Sequence, residues 1–311
     1  MPGGRKDLVP RAPRWVSTPS RTPLMPLVAR PPATGGDNVT MRGLRGEEMW
    51  VAACVEAALP TVEVCQHDDG STAGMYDLAM FRDDALVAAV EVTAAADGES
   101  IALWNLMNGG HNRWQEADLV GGWFVTLHPS ARAKALRRHL PDLLRELERA
   151  GQTELWTRSS SSDSLSSRAA QLGVTRAHQS GTEFAGSVYV TIELPHERSG
   201  GMVASTGDAL AHWLERWVRE PEQSDNLTKL ERSGVRECHL FVLVPGFTTA
   251  PFPAVDLLLR DAAPLPTIPI LLPPPVSHIW TMSTWNSGDV FRWCAADGWR
   301  RSKKVFDIEA P

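Results

Sequence analysis

Apolar runs of two kinds partition this chain. Short alternating or continuous runs predict strands, and apolar positions three and four apart predict helices. The clearest run is MYDLAMFRDDALVAAVEVT, residues 75–93. It predicts a hairpin of two strands, 75–81 and 86–93, around the polar turn Arg82-Asp83-Asp84. Upstream, Trp50, Val51, Cys54, Val55 and Ala58 share helical spacing, with Thr40 as a candidate cap. A strand over 61–66 and a loop rich in Asp, Gly and Ser over 67–74 lead into the hairpin. Downstream come a helix over 99–117 interrupted by Gly109-Gly110, an aromatic strand over 123–127 and a strongly amphipathic helix over 131–150.

The second half is less regular. The Ser-rich stretch 159–167 reads as a loop, and 187–194 as a strand. Helices are predicted over 208–219 and 225–232, followed by the continuous apolar strand ECHLFVLV over 237–244. Nine prolines within 245–275 exclude long regular structure there, a helical turn over 254–260 excepted. Strands at 277–284 and 289–293 close the chain, where Trp280, Trp285, Trp293 and Trp299 crowd a terminal hairpin and are expected to pack it onto the body. The pattern predicts an α/β protein, with α+β as the alternative arrangement, built on a mixed central sheet flanked by helices. The expected organisation is a Pro- and Arg-rich tail over 1–36, a core over 37–150 and a C-terminal extension or second subdomain over 151–311.

Composition narrows the function classes. No apolar run approaches the ~20 residues of a membrane-spanning helix. The N-terminus has no apolar segment of the signal-peptide type. The four cysteines form no C-x-x-C pair, which suits a reducing, cytoplasmic setting. The net charge is −6, and since residues 1–36 contribute +5, the rest carries −11. An acidic body argues against strong nonspecific binding of nucleic acid, though it permits a local contact. Hydrolase-elbow, P-loop, dinucleotide and zincin motifs are all missing.

What remains is a pattern of acids on strands. Asp77 lies in the first strand of the hairpin and Glu91 near the end of the second. Glu91 and Thr93 share a face, because strand side chains alternate. An acid within an apolar strand is costly unless it is paired, hydrogen-bonded or bound to a metal. Two carboxylates on adjacent strands, with carbonyls and water, suit a hard cation such as Mg²⁺.

The order helix, three strands, helix, strand, with Asp77 and the triplet Glu91-Val92-Thr93, resembles the PD-(D/E)XK restriction-endonuclease-like superfamily over roughly residues 41–127. The resemblance implies Asp77 and Glu91 as metal-binding acids for Mg²⁺ and an extra acid, Glu47 or Glu48, on the first helix. It places Thr93 where the family has its lysine, and Tyr76 where a proline precedes the first acid. Among the five lysines, Lys134 or Lys229 could supply the missing charge. The implied activity is Mg²⁺-dependent hydrolysis of nucleic-acid phosphodiesters, in defence or nucleic-acid maintenance. The alternative is a non-catalytic interaction protein that keeps the fold and binds a protein partner.

Overall fold

The computed structural model describes residues 46–108, 114–157 and 164–306. The expected tail, the Thr40 cap and Gly109-Gly110 lie outside these residues. In chain order the first elements are α1 (Gly46–Ala58), β1 (Glu63–Gln66), β2 (Leu78–Arg82), β3 (Ala85–Ala94), α2 (Gly98–Asn108), β4 (Trp114–Gln115) and β5 (Gly122–Leu127). Next come α3 (Ala133–Arg149), β6 (Glu154–Trp156), α4 (Ser164–Gln171), β7 (Val174–Gly181), β8 (Ser187–Ile192) and α5 (His196–Ser199). The last are α6 (Asp208–Trp217), α7 (Ser224–Arg232), β9 (Glu237–Val244), α8 (Phe252–Leu259), β10 (His278–Ser283), β11 (Asp289–Cys294) and β12 (Gly298–Lys303).

The strands form two mixed sheets. The larger runs β1-β2-β3-β9-β10-β11-β12, and the smaller β4-β8-β5-β7-β6. The α/β class expected from the sequence is what the chain adopts. The predicted hairpin is present, with Asp83 and Asp84 both at positive φ (49° and 62°). Two left-handed residues match a hairpin's twist, and Asp tolerates that region better than bulky side chains.

β3 and β9 read as continuous apolar runs because helices cover both faces of their sheet. Leu78, Met80, Ala88, Val90, Phe241 and Leu243 pack with Val51, Cys54 and Val55 of α1. Ala79, Ala89, Leu240 and Val242 face the other way, against α6, α7 and α8 through Trp213, Trp217, Leu230 and Leu257. In the smaller sheet, Trp123, Val125 and Val190 face inward onto Leu136, Leu140, Leu143 and Leu147 of α3. One carboxylate fastens that module: Glu148 accepts the Val120 and Gly121 amides and the indole N–H of Trp123, each at 3.0–3.1 Å.

Several expectations need correction. The fourth strand expected beside the hairpin, over 123–127, belongs to the smaller sheet. Its place beside β3 is taken by β9, paired in parallel from Ala88↔Glu237 to Ala94↔Leu243. The physical reason is length: a parallel neighbour requires a crossover, and here that crossover contains a whole second sheet. The boundary drawn at residue 150 therefore runs through both sheets. The interrupted helix over 99–117 is instead α2 followed by β4. The Ser-rich loop gives way to α4 from Ser164 onward, and β6, β7 and β12 are strands the pattern did not predict.

The proline-rich stretch is ordered by its partners. α8 begins after Pro251, with Pro253 in its first turn, where a missing N–H costs nothing. Further on, the Ile270 and Ile268 carbonyls accept the indole N–H groups of Trp293 (3.1 Å) and Trp299 (2.8 Å). A chain short of its own donors is thus satisfied by the two terminal tryptophans, whose rings lie 5.5 Å apart.

Candidate functional site

Asp77 immediately precedes β2, and the register Leu78↔Val90 sets it opposite Glu91 on β3. Both are almost fully buried, at 2% and 1% exposure. They lie on the sheet face that α7 covers, since Ala79 and Ala89 share that face. The backbone around Asp77 is pinned: its carbonyl accepts the His67 and Asp68 amides, and its Oδ2 accepts the Val92 N–H at 2.7 Å. Tyr76 is buried, with its ring stacked 3.8 Å from that of His67.

α7 delivers the cation. Lys229 Nζ donates to Glu91 Oε1 at 2.7 Å. Glu91 Oε2 is buried and finds no hydrogen-bond partner among the described residues. Burial, reinforced by the Asp77 carboxylate, raises the Glu91 carboxyl to about 7 in spite of Lys229. For Lys229 burial works downward, but Glu91 outweighs it and the ammonium is held above its ordinary value. The two directions pull apart: Glu91 stabilises the ammonium, while burial and Asp77 hold the carboxyl against ionising in spite of it, and the second carboxyl oxygen is left over.

Two positions of α7, Asn226 and Lys229, face β3 together. One turn before Lys229, Asn226 Nδ2 donates to Thr93 Oγ1 (3.2 Å) and to Oε1 of buried Gln223 (3.0 Å). With its oxygen held, the Thr93 hydroxyl keeps its proton free to donate. Arg232, one turn after Lys229, lies so near Gly74 that a Cβ there would come within 3.3 Å of its guanidinium.

The structure thus brings Asp77, Glu91, Thr93 and Lys229 together. It does not bring Glu47, which is exposed on α1, the helix packed on the opposite face of the sheet. Glu48 is buried on that same helix. Lys134 is exposed on α3, against the smaller sheet. Asn226 stood in the sequence only as a member of the cluster 225–232, whose Lys229 and Arg232 were the expected anion contacts, and Gln223 was not singled out. Their signal was the spacing 223, 226, 229, one stripe of a helix ahead of an apolar strand.

A second cluster was also missed. Glu237, His239 and His278 offer ligand atoms within 4.8 Å of one another and could hold a metal ion. Glu237 and His239 share a face of β9, and His278 pairs with His239 across β10. Burial lowers both imidazoles, His278 to about 4, so both are neutral at neutral pH. The Trp280 indole donates to His239 Nδ1 at 3.2 Å. That bond puts the ring proton on Nε2, so a cation at Nε2 would have to displace it. The alternation Glu-x-His within an apolar strand was the available signal.

No protein-family model matches this chain, and searches of curated proteins and of solved structures find no match.

Proposed function

We propose that this chain is a metal-dependent nuclease that hydrolyses nucleic-acid phosphodiesters at Asp77 and Glu91. The observation that carries the reading is the buried Glu91 Oε2 without a partner, beside Asp77 and below Lys229. A buried carboxylate oxygen left unpaired costs free energy that a bound cation would recover. The donor set of two carboxylates suits Mg²⁺ or Mn²⁺. When bound, such an ion lowers the pKa of water and offsets charge on a phosphoryl group.

The remaining work falls to this chain's own side chains. Asp77 and Glu91 hold the ion. Lys229 keeps a positive charge beside Glu91, in the role the PD-(D/E)XK resemblance assigns to the lysine that Thr93 replaces. Thr93, oriented by Asn226, holds a water through its free O–H. α7 and β9, rather than α2 and β5, then fill the helix and strand that the resemblance requires after the hairpin.

A second reading is favoured by the same ion pair. With Glu91 buried and bound by Lys229, the site could be a sealed structural contact in a protein-binding protein. Cleavage of a DNA and RNA panel with Mg²⁺ or Mn²⁺ separates the two. Under the nuclease reading the wild type cleaves, and Glu91→Ala and Asp77→Asn do not. Absence of both cleavage and Mn²⁺ binding by calorimetry would leave the interaction protein.

A further inference from the structure

The smaller sheet has one face covered by α3 and α4 and another that is open among the described residues. The open face carries rings. Phe124 on β5 is 40% exposed, Tyr189 on β8 37% and Trp156 on β6 46%. Register puts them in two rows across the strands. Tyr189, Phe124, His178 and Glu154 form one, and Thr191, Thr126, Arg176 and Trp156 the other. Phe124 and His178 lie nearly parallel (10°) at 5.1 Å, and Tyr189 stands edge-on to Phe124 at 5.5 Å. The Arg176 guanidinium covers the Trp156 ring at 4.0 Å and pairs with Glu154 at 2.8 Å.

We propose that this face binds single-stranded nucleic acid, with bases stacked on Phe124 and Tyr189 and a phosphate at the part of the Arg176 guanidinium that Glu154 leaves exposed. Neighbouring strands are spaced by about 4.8 Å, so a row of rings offers successive flat surfaces to a splayed strand. Each exposed base face gains from such a ring whatever its identity. Duplex bases already stack on one another and cannot reach the platform. Threonine hydroxyls and a guanidinium separate the rings, unlike a continuous aliphatic patch built for a protein partner.

Charge permits the partner. Residues 114–194 hold nine basic and nine acidic residues, so this module contributes nothing to the net −6 of the chain. Burial and Arg176 hold His178 neutral, which leaves it a stacking ring. Position supports it as well, and this part rests on the nuclease reading. The module is inserted between β3, which carries Glu91 and Thr93, and α7, which carries Lys229. At its two ends, Arg198 of α5 pairs with Asp97 just after β3 (2.9 Å), and Trp104 of α2 lies against Phe247 just after β9. A strand captured on the platform is thereby tethered to the same chain as the acids.

The test is fluorescence anisotropy in EDTA, using the full chain with labelled oligothymidylate, oligouridylate and a matching duplex. Both single strands are expected to bind, and the duplex to bind at least tenfold more weakly. Phe124→Leu and Tyr189→Leu keep an apolar strand surface while removing a ring. Each is expected to weaken binding roughly fivefold or more, with the melting curve as a check on folding. Arg176→Gln adds salt-sensitive weakening and serves if either ring variant fails to fold. Folded wild type that binds no single strand, or ring variants that bind as tightly as wild type, would overturn the proposal. So would a duplex bound equally well. Cleavage plays no part in this readout. Binding without cleavage overturns the nuclease reading alone, and cleavage without binding the platform alone.

Discussion

Replacing Glu91 with Gln should unmask a pH dependence that the wild type conceals. Two buried groups titrate in overlapping windows with opposite sign. Glu91 is raised from 4.5 to about 7 by burial and Asp77. Between those values the folded chain keeps a proton that the unfolded chain has released, so stability falls as pH rises. His278 is lowered from 6.5 to about 4 by burial and by His239. Between those values the unfolded chain takes up a proton that the folded chain refuses, so stability rises with pH. At about 1.4 kcal/mol per pH unit, each window is worth about 3 kcal/mol. From pH 4.5 to 6.5 the two nearly cancel. Urea denaturation in EDTA should therefore give the wild type a shallow profile from these groups. Glu91→Gln should gain about 3 kcal/mol of stability between pH 4 and 6.5. His278→Gln should lose a similar amount between pH 4.5 and 7. His239, lowered by burial as well, adds a rise of the same sign as His278, and it is common to the wild type and Glu91→Gln, so their difference reports Glu91 together with its couplings to Asp77 and Lys229. A Glu91→Gln profile parallel to the wild type would refute the reasoning, because Glu91 would then be fully ionised against Lys229 throughout.

Three further outcomes are expected. Well above pH 7, where Glu91 is ionised, Lys229→Ala leaves its carboxylate buried without its counter-charge and should cost about 3–5 kcal/mol in urea denaturation, shrinking as pH falls through 7 and mostly recovered in the double variant with Glu91→Gln. Glu148→Gln puts an amide donor among the Val120, Gly121, Trp123 and Gln179 donors that the carboxylate satisfies. It should cost about 2–4 kcal/mol and speed hydrogen exchange at the Val120 and Gly121 amides, leaving the β3–β9 ladder protected. Burial holds the Lys304 ammonium down to about 8, although it donates to Ser283, Trp285 and Ser287. The folded chain loses that proton while the unfolded chain keeps it to about 10.5, so stability should rise with pH across that range, and Lys304→Met should abolish the rise.

Local pattern carried a good part of this fold, and distance along the chain hid the rest. The hairpin around Asp83 and Asp84 needs only its own alternation and a turn of two tolerant residues. β9 announces itself as an apolar run because both its faces are covered. What no local pattern could supply is which strand lies beside β3. The next apolar strand in sequence, over 123–127, was the natural choice, yet β9 starts more than a hundred residues later. The strands β6 and β7 escaped for a different reason. With one face open, they carry Arg176, His178 and Trp156 outward, and the mixture of polar and aromatic positions imitates a loop.

The site follows the same division. Asp77, Glu91 and Thr93 were legible because acids in an apolar hairpin need an explanation. Lys229 was legible only as one of two candidates, since its distance to Glu91 depends on the crossover that carries α7 over the sheet. Glu47 failed because helical spacing fixes which residues share a face but not which sheet face the helix covers. α1 covers the face of Leu78 and Val90, and Glu91 points the other way. The placement of α7 has a consequence for how the site forms. Glu91 gains its cation only when residues 224–232 have docked on β3, after the whole smaller sheet has been made in sequence. The carboxylate is costly to bury before that point and paired after it. The large hairpin sheet and α7 should therefore become protected together in hydrogen exchange, with the inserted module free to open at lower free energy.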